Sequence, residues 1–420
     1  MVRRPVRRRS QHRFFSHFIN IVGVFLIPIL LITFEIQPTS DLNLQFKQTK
    51  KEIPVLTKNI ELEAKAFLVA DSQTGQIIYQ KNSHQSLPIA SISKIIPTYF
   101  AFEALKKGQI HMDDQVKVDP KVAALSTQAG LSNVKLSASS TYSVQDLIYA
   151  TLLSSANAGI MALSEHLAPL PEINQREQSF LKNLGINDFV IVNVNGLPND
   201  MLGSLQNPET DMKADNQMSA ASVATVAAKL VNDFPEVLKV SEQYNYTFKS
   251  GTAEEQKLEN TNLLVKGGAL ADPNLEIVGL KTGTNDQGYS FVGTMKEGDN
   301  LITSVVLNSN SNESRFQQTK DYLQQFKQNY HLVRIDPNTN KNVKRACLTF
   351  KNQYDRSNVI TNKINLWVPK DLTADDFHFK VDFDRDYFAK TKKPGLVLTL
   401  DLKAKTVQFL KTQDLKLYLR

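Results

Sequence analysis

The chain has 420 residues, 41% of them hydrophobic, a formal net charge of +7 and a single cysteine, Cys347. That length and apolar content allow two or three domains with a sizeable core, and one cysteine excludes an internal disulfide. Six arginines (Arg3, Arg4, Arg7, Arg8, Arg9 and Arg13) precede the first acidic residue, Glu35; the remainder carries only about one net positive charge, which excludes a nucleic-acid footprint.

After the arginines comes FFSHFINIVGVFLIPILLITF, almost uninterrupted apolar sequence from Phe18 to Phe34 and at the short end for a membrane span. The basic flank predicts a cytoplasmic N-terminus over residues 1–14 and a signal-anchor over 15–34, with everything beyond Phe34 exported. No clear Ala-x-Ala cleavage site follows, which favours a retained anchor over a cleaved signal. Export without disulfides fits a bacterial cell envelope, on the outer face of the cytoplasmic membrane, or secretion if the segment is cut. Residues 35–61, polar and lysine-rich with scattered prolines, read as a stalk.

The ordered chain opens with a hairpin: AKAFLVA, a turn over residues 71–75, then QIIYQ. Helical patterns follow over residues 91–107, with a kink expected at Pro97, and over 143–153, 156–167 and 219–231. From residue 275 the period becomes that of strands. EIVGLK, YSFVGTMK and NLITSVVLN form an antiparallel meander, closed by the helical RFQQTKDYLQQFKQNY. Strands at both ends and helices between them predict an α+β domain over residues 62–332, in which the first hairpin pairs with the late strands beneath a helical layer. Short alternating runs such as INLWVPK, FHFKVDF and LVLTLDLK predict a small all-β domain over residues 333–420, serving binding or spacing, with Trp367 in its core.

Three short motifs carry chemistry. In PIASISKIIPTYF, Ser91 and Lys94 stand three apart in a largely apolar run, so a helix brings them onto one face. LLSSANAGI holds Ser155 and Asn157 at the junction of two helical patterns, and GLKTGTNDQGYSF holds Lys281, Thr282 and Gly283 at the end of a strand. A serine hydroxyl becomes a nucleophile when a neighbour takes its proton, and a lysine does so only when burial or nearby cations lower its pKa. The apolar surroundings of Lys94 would supply the first influence and Lys281 the second.

Ser-x-x-Lys, Ser-x-Asn and Lys-Thr-Gly, in that order, are the motif set of penicillin-binding proteins and class A β-lactamases. With LLSSANAGIMALSEHL, VNVNGLP and VGLKTGTNDQGYSFVGT around them, residues 64–330 resemble the low-molecular-weight D-alanyl-D-alanine carboxypeptidases. The resemblance implies a β-lactamase/transpeptidase-like fold with an accessory C-terminal domain. It makes Ser91 the nucleophile, Lys94 its base and Ser155 a proton relay, and it gives the Asn157 amide to the substrate backbone. The backbone N–H groups of Ser91 and Thr284 would form an oxyanion hole. Gly283, lacking a side chain, would let an extended peptide lie along the strand edge. Lys281 and the hydroxyls of Thr282 and Thr284 would meet the substrate's terminal carboxylate, with Arg315 helping to place it. The implied partners are peptidoglycan stem peptides ending in D-Ala-D-Ala and β-lactam antibiotics. Neither a metal nor a cofactor is implied, and the seven histidines show no HExxH spacing.

Other readings share much of this machinery. A class A β-lactamase adds a water-activating glutamate in a Glu-x-x-Leu-Asn pattern; in PEINQREQ, Glu172 and Asn174 stand too close together to match. A DD-endopeptidase would use the same residues. A non-catalytic wall-binding protein should lack one of them, and all are present. The C-terminal QDLKLYLR is no clear amphipathic membrane helix, which leaves anchorage to the N-terminal segment. The residue at the third stem position and the oligomeric state are open at this level.

Overall fold

The computed structural model describes residues 62–336, 339 and 364–374, together with strands at 377–383, 395–402 and 414–418. The basic N-terminus, the apolar span and the stalk lie outside the described residues. Among the described residues no helix is long and apolar enough to cross a membrane.

The first hairpin is β1 (Ala66–Asp71) and β2 (Ile77–Lys81), and the late meander is β3 (Glu276–Asn285), β4 (Gly288–Glu297) and β5 (Asn300–Ser309). They form one antiparallel five-stranded sheet in the order β2-β1-β5-β4-β3. The N-terminal hairpin therefore closes onto the late strands, with Ala66 opposite Leu307 and Asp71 opposite Ile302. β3 ends the sheet. Among the described residues no strand pairs with its other edge.

Both faces of the sheet are covered, which is why β1 reads as an unbroken apolar run. Ala66, Leu68 and Ala70 join Val292, Val305 and Leu307 in the core under the helices, while Phe67 and Val69 join Phe291, Ile302 and Val306 in a second core on the opposite face. The helical layer comprises α1 (Ile95–Lys106), α2 (Val144–Leu152), α3 (Asn157–Leu167), α4 (Leu170–Asn183) and α5 (Ala220–Asp233). The final helix, α6 (Asn312–Asn329), covers the other face with Phe316, Leu323 and Phe326. It starts at a capping box between Ser311 and Ser314.

Two expectations change here. The helix expected over residues 91–107 is a 3-10 turn, Ala90–Lys94, running into α1. Pro97 falls in the first turn of α1, where a missing N–H removes no helical bond, so the residue tolerates the position without the expected kink. The pattern reading also passed over α4. Its buried stripe is Ile173, Glu177 and Leu181, and the glutamate at the middle position interrupts the apolar period.

Beyond α6, β6 (Tyr330–Ile335) pairs with β7 (Ile364–Pro369), so the expected boundary at residue 333 falls within a strand. Strands β8 (Phe377–Phe383), β9 (Gly395–Leu402) and β10 (Asp414–Tyr418) form a separate antiparallel sheet. Trp367 does not sit in a core of the tail's own. It belongs to the second core of the main sheet, edge-on to Phe326 at 4.8 Å, and its indole N–H donates to Asp71 Oδ2 at 2.8 Å. The Gln76 side chain grips the backbone of the same residue, accepting from the Trp367 N–H at 2.8 Å and donating to its carbonyl at 2.6 Å. An aromatic side chain with one polar handle is suited to such a seat.

Trp367 is the sole tryptophan, so intrinsic fluorescence reports this junction alone. Gln76→Ala leaves a buried N–H and a buried carbonyl unpaired, at a cost of about 1–3 kcal/mol. We expect a lower melting temperature and a red-shifted tryptophan emission. An unchanged emission maximum would show that the hairpin stays docked without the Gln76 clamp.

Candidate active site

Ser91 lies in the 3-10 turn Ala90–Lys94, which is pressed between β3 and the loop at residues 193–197. A Cβ at Gly283 of β3 would stand 2.7 Å from the Ile89 carbonyl, and one at Gly196 would overlap the Ala90 carbonyl. Ala90 itself adopts the left-handed region at φ +47, a conformation costing a residue with a Cβ about 1–2 kcal/mol. Its carbonyl is held by the Ser93 hydroxyl at 2.6 Å. Ser91 thus sits on a backbone fixed from two sides.

Lys94 is fully buried, with Nζ 2.6 Å from Ser91 Oγ, 2.8 Å from Asn157 Oδ1 and 2.7 Å from the Asn195 carbonyl. None of these partners is a carboxylate, and burying an ammonium without one is costly. Burial accordingly pushes the Lys94 pKa well below 10.5, and the charge of Lys281 lowers it further. The neutral amine has two hydrogens and one lone pair. Asn157 Oδ1 must be the carbonyl end of its amide, because the Nδ2 end donates to the Ser132 carbonyl at 2.9 Å. Backbone carbonyls only accept. In the neutral form both amine hydrogens are therefore committed, and the lone pair faces the Ser91 hydroxyl.

Asn157, expected to hold the substrate backbone, is 1% exposed, with its oxygen on Lys94 and one amide hydrogen on the Ser132 carbonyl. Ser155 occupies a left-handed position, φ +60, in the short turn between α2 and α3. It is buried near Asn157, but no hydrogen bond joins its hydroxyl to Lys94 or Ser91.

On β3, Lys281 is 1% exposed and donates to the Thr282 carbonyl at 2.9 Å. Burial, and then the charge of Arg315, lower its pKa to about 7. The Thr282 hydroxyl is engaged with that of Thr261 at 2.7 Å, so of the two threonines proposed for a carboxylate only Thr284 is exposed. Gly283 had been read as clearing the edge for a peptide; its absent side chain makes room for the Ile89–Ile92 backbone behind it. Arg315, on the first turn of α6, is 4% exposed. Its guanidinium donates to the Gly283 carbonyl at 2.9 Å, the Ser290 carbonyl at 3.0 Å and the Thr284 hydroxyl at 3.2 Å, and also contacts Asn312 Oδ1. Burial lowers its pKa to about 10.

Lys94, Lys281 and Arg315 thus form a buried series of basic groups, Arg315 lowering the pKa of Lys281 and Lys281 that of Lys94, and their hydrogen bonds run to carbonyls, amides and hydroxyls rather than to carboxylates. Such a cluster favours an incoming anion. Among the described residues no group of three His, Cys, Asp or Glu side chains converges as a metal site. Glu172 is exposed on α4, and the Asn174 amide donates to the Val192 carbonyl at 3.2 Å. The sequence reading missed Asn195, which acts through its backbone. Its only signal was the Asn-Gly pair in VNVNGLP, a turn dipeptide.

The sequence profile of the D-alanyl-D-alanine carboxypeptidases matches residues 49–311. The chain belongs to that family. Among relatives in this carboxypeptidase family, DacC of Escherichia coli K12 is 27% identical over 267 residues, 62% of this chain and 60% of the relative. DacF of Bacillus subtilis 168 is 26% identical over 297 residues, 70% of this chain and 68% of the relative. The match thus spans only 60% of the first relative's length. A peptidoglycan synthesis regulatory factor from Streptococcus pneumoniae superposes with a TM-score of 0.67 at 26% identity, covering 86% of this chain and 98% of that one. A cefotaxime-bound penicillin-binding protein from Listeria monocytogenes gives 0.52 at 26% identity, covering 64% and 98%.

The buried cations predict a pH dependence of stability. Lys281 has a folded pKa of about 7 against 10.5 for the free side chain. Between these values the unfolded chain holds a proton that the folded protein has released, so stability falls as pH drops through the window, by about 1.4 kcal/mol per unit. Lys281→Met should flatten the rise in melting temperature from pH 7 to 10 and raise the melting temperature at pH 7. An unchanged slope would mean that Lys281 stays charged in the folded protein.

Proposed function

We propose that this protein is a serine-type D-alanyl-D-alanine carboxypeptidase that removes the terminal D-Ala from peptidoglycan stem peptides through a Ser91 acyl-enzyme, and that penicillins acylate the same serine. The observation that carries this reading is the neutral-favouring Lys94 amine, 2.6 Å from Ser91 Oγ with both hydrogens directed to carbonyl oxygens.

The Ser91 proton passes to Lys94 as Oγ attacks the carbonyl carbon of the penultimate D-Ala. The backbone N–H groups of Ser91 and Thr284 stabilise the oxyanion. The proton then reaches the departing D-Ala amine, with the Ser155 hydroxyl as relay, and the C–N bond breaks. Water attacks the acyl carbon as Lys94 accepts its proton, the ester bond to Ser91 Oγ breaks, and Lys94 passes the proton back to Oγ. Extended substrate adds along the free edge of β3, with its terminal carboxylate drawn to Thr284 and the charges of Lys281 and Arg315. A β-lactam presents a strained amide and a carboxylate to the same groups.

The assignment is tested by incubating the enzyme with a labelled penicillin and with muropeptides. The label should map to Ser91 and vanish in Ser91→Ala, and mass spectrometry should show loss of one D-Ala. Label retained in Ser91→Ala would remove the nucleophile from this position, and cleavage only at crosslinks would make the enzyme an endopeptidase.

Arginine keeps the charge of lysine but offers no base at neutral pH. Lys94→Arg should therefore lose acylation by about a hundredfold or more while still folding, within the range typical of a lost general base. Lys281→Arg, whose task is attraction of a carboxylate, should be the milder change. Folded Lys94→Arg acylating near the wild-type rate would pass the base role to Ser155 or water.

The basic flank and apolar span support placing the enzyme on the outer face of the cytoplasmic membrane by a retained N-terminal anchor. Protease added to spheroplasts should digest the catalytic domain. Complete protection would reverse this topology.

A further inference from the structure

We infer that Asn193 is a positioning residue for acylation: its side chain shapes the turn that holds the Asn195 carbonyl against Lys94. This rests on the reading of Lys94 as the base. Asn193 is 5% exposed, hydrogen-bonds to neither Ser91 nor Lys94, and has no role in the motif set. Its Oδ1 accepts from the Asn195 N–H at 3.2 Å and the Gly196 N–H at 2.7 Å, and its Nδ2 donates to the Leu197 carbonyl at 2.7 Å. One side chain thus ties together three consecutive backbone units. An asparagine bonded to its own chain two and three residues on fixes such a turn.

The turn is aimed as well as closed. Asn216 anchors its base, accepting from the Val192 and Asn193 N–H groups and donating to the Asn193 carbonyl at 2.7 Å. Gly196, at φ +78, lies flat against the Ala90 carbonyl, one residue before the nucleophile. The turn therefore sets two relations at once: the Asn195 carbonyl to Lys94, and the back of the Ala90–Lys94 turn to the loop. Loosening it frees one amine hydrogen of Lys94 from its acceptor. The lone pair is then no longer confined to the direction of Ser91, while the carboxylate-binding groups on β3 and α6 are untouched.

The consequence is a separation of binding from chemistry. Asn193→Ala should leave the pre-covalent affinity for penicillin within about twofold and lower the acylation rate constant by about ten- to a hundredfold, the scale expected for misplacement of a reacting group by an ångström or less. Asn193→Ser, whose hydroxyl can accept from the same N–H groups, should recover most of the rate. Stopped-flow acylation with a fluorescent penicillin gives both constants, and a thermal melt of each variant confirms folding. A folded Asn193→Ala enzyme with the wild-type acylation rate overturns the inference, leaving Asn193 a structural residue. If Asn193→Ala does not fold, Asn193→Ser decides: near-wild-type acylation supports the turn's role, and a tenfold loss in the folded serine variant overturns it. Failure of the base reading looks different, since Lys94→Arg would then acylate normally whatever Asn193 does.

Discussion

A lysine amine shut away from water, with two carbonyl groups to receive its hydrogens and a hydroxyl before its lone pair, is the condition on which the rest of this structure depends. In water the same side chain would be protonated. To favour its neutral form the protein must exclude solvent, withhold a carboxylate and still satisfy both N–H groups. Those demands bring together elements far apart in sequence: the 3-10 turn at Ser91, the N-terminus of α3 at Asn157, the loop at Asn195 and the strand carrying Lys281.

The arrangement works against stability. Two left-handed residues with Cβ atoms, Ala90 and Ser155, flank the functional positions, and Lys281 and Arg315 are buried without carboxylate partners in their hydrogen bonding. A domain is stable by only about 5–15 kcal/mol, so such local costs need broad compensation. Two cores on opposite faces of one sheet provide it, and the second is extended by Trp367 from β7, beyond α6 in the chain.

Much of this was legible in the sequence. The early hairpin, the late meander and the helices between them follow from periodicity, and the three motifs stand in recognisable order. What escaped notice has a common cause. The roles of Asn157, Gly283 and Thr282 depend on which neighbour each meets in three dimensions, and a motif names residue types without naming neighbours. Arg315 had only a resemblance to single it out, because its helix is polar overall; the packing of α6 against β3 and β4 buries it. Asn195 acts through a backbone carbonyl, a group every residue has. Trp367 was given to the tail because strand patterns say nothing of which sheet they lie against, and Gln76 and Asp71, nearly three hundred residues earlier, take hold of it.

The place of β3 at the end of the sheet has a consequence for how this protein keeps itself from others of its kind. An unpaired strand edge is a template on which any passing extended chain can add, the first step of aggregation. Proteins commonly guard such edges with charge, lysine above all. Here the guard is Lys281 within the strand and Arg315 bonded to it. An uncharged stretch of misfolded chain brings nothing to compensate these buried basic groups, whereas a peptide that ends in a carboxylate brings its own compensation. The groups that would admit one short carboxylate-ended strand thus discourage longer uncharged ones.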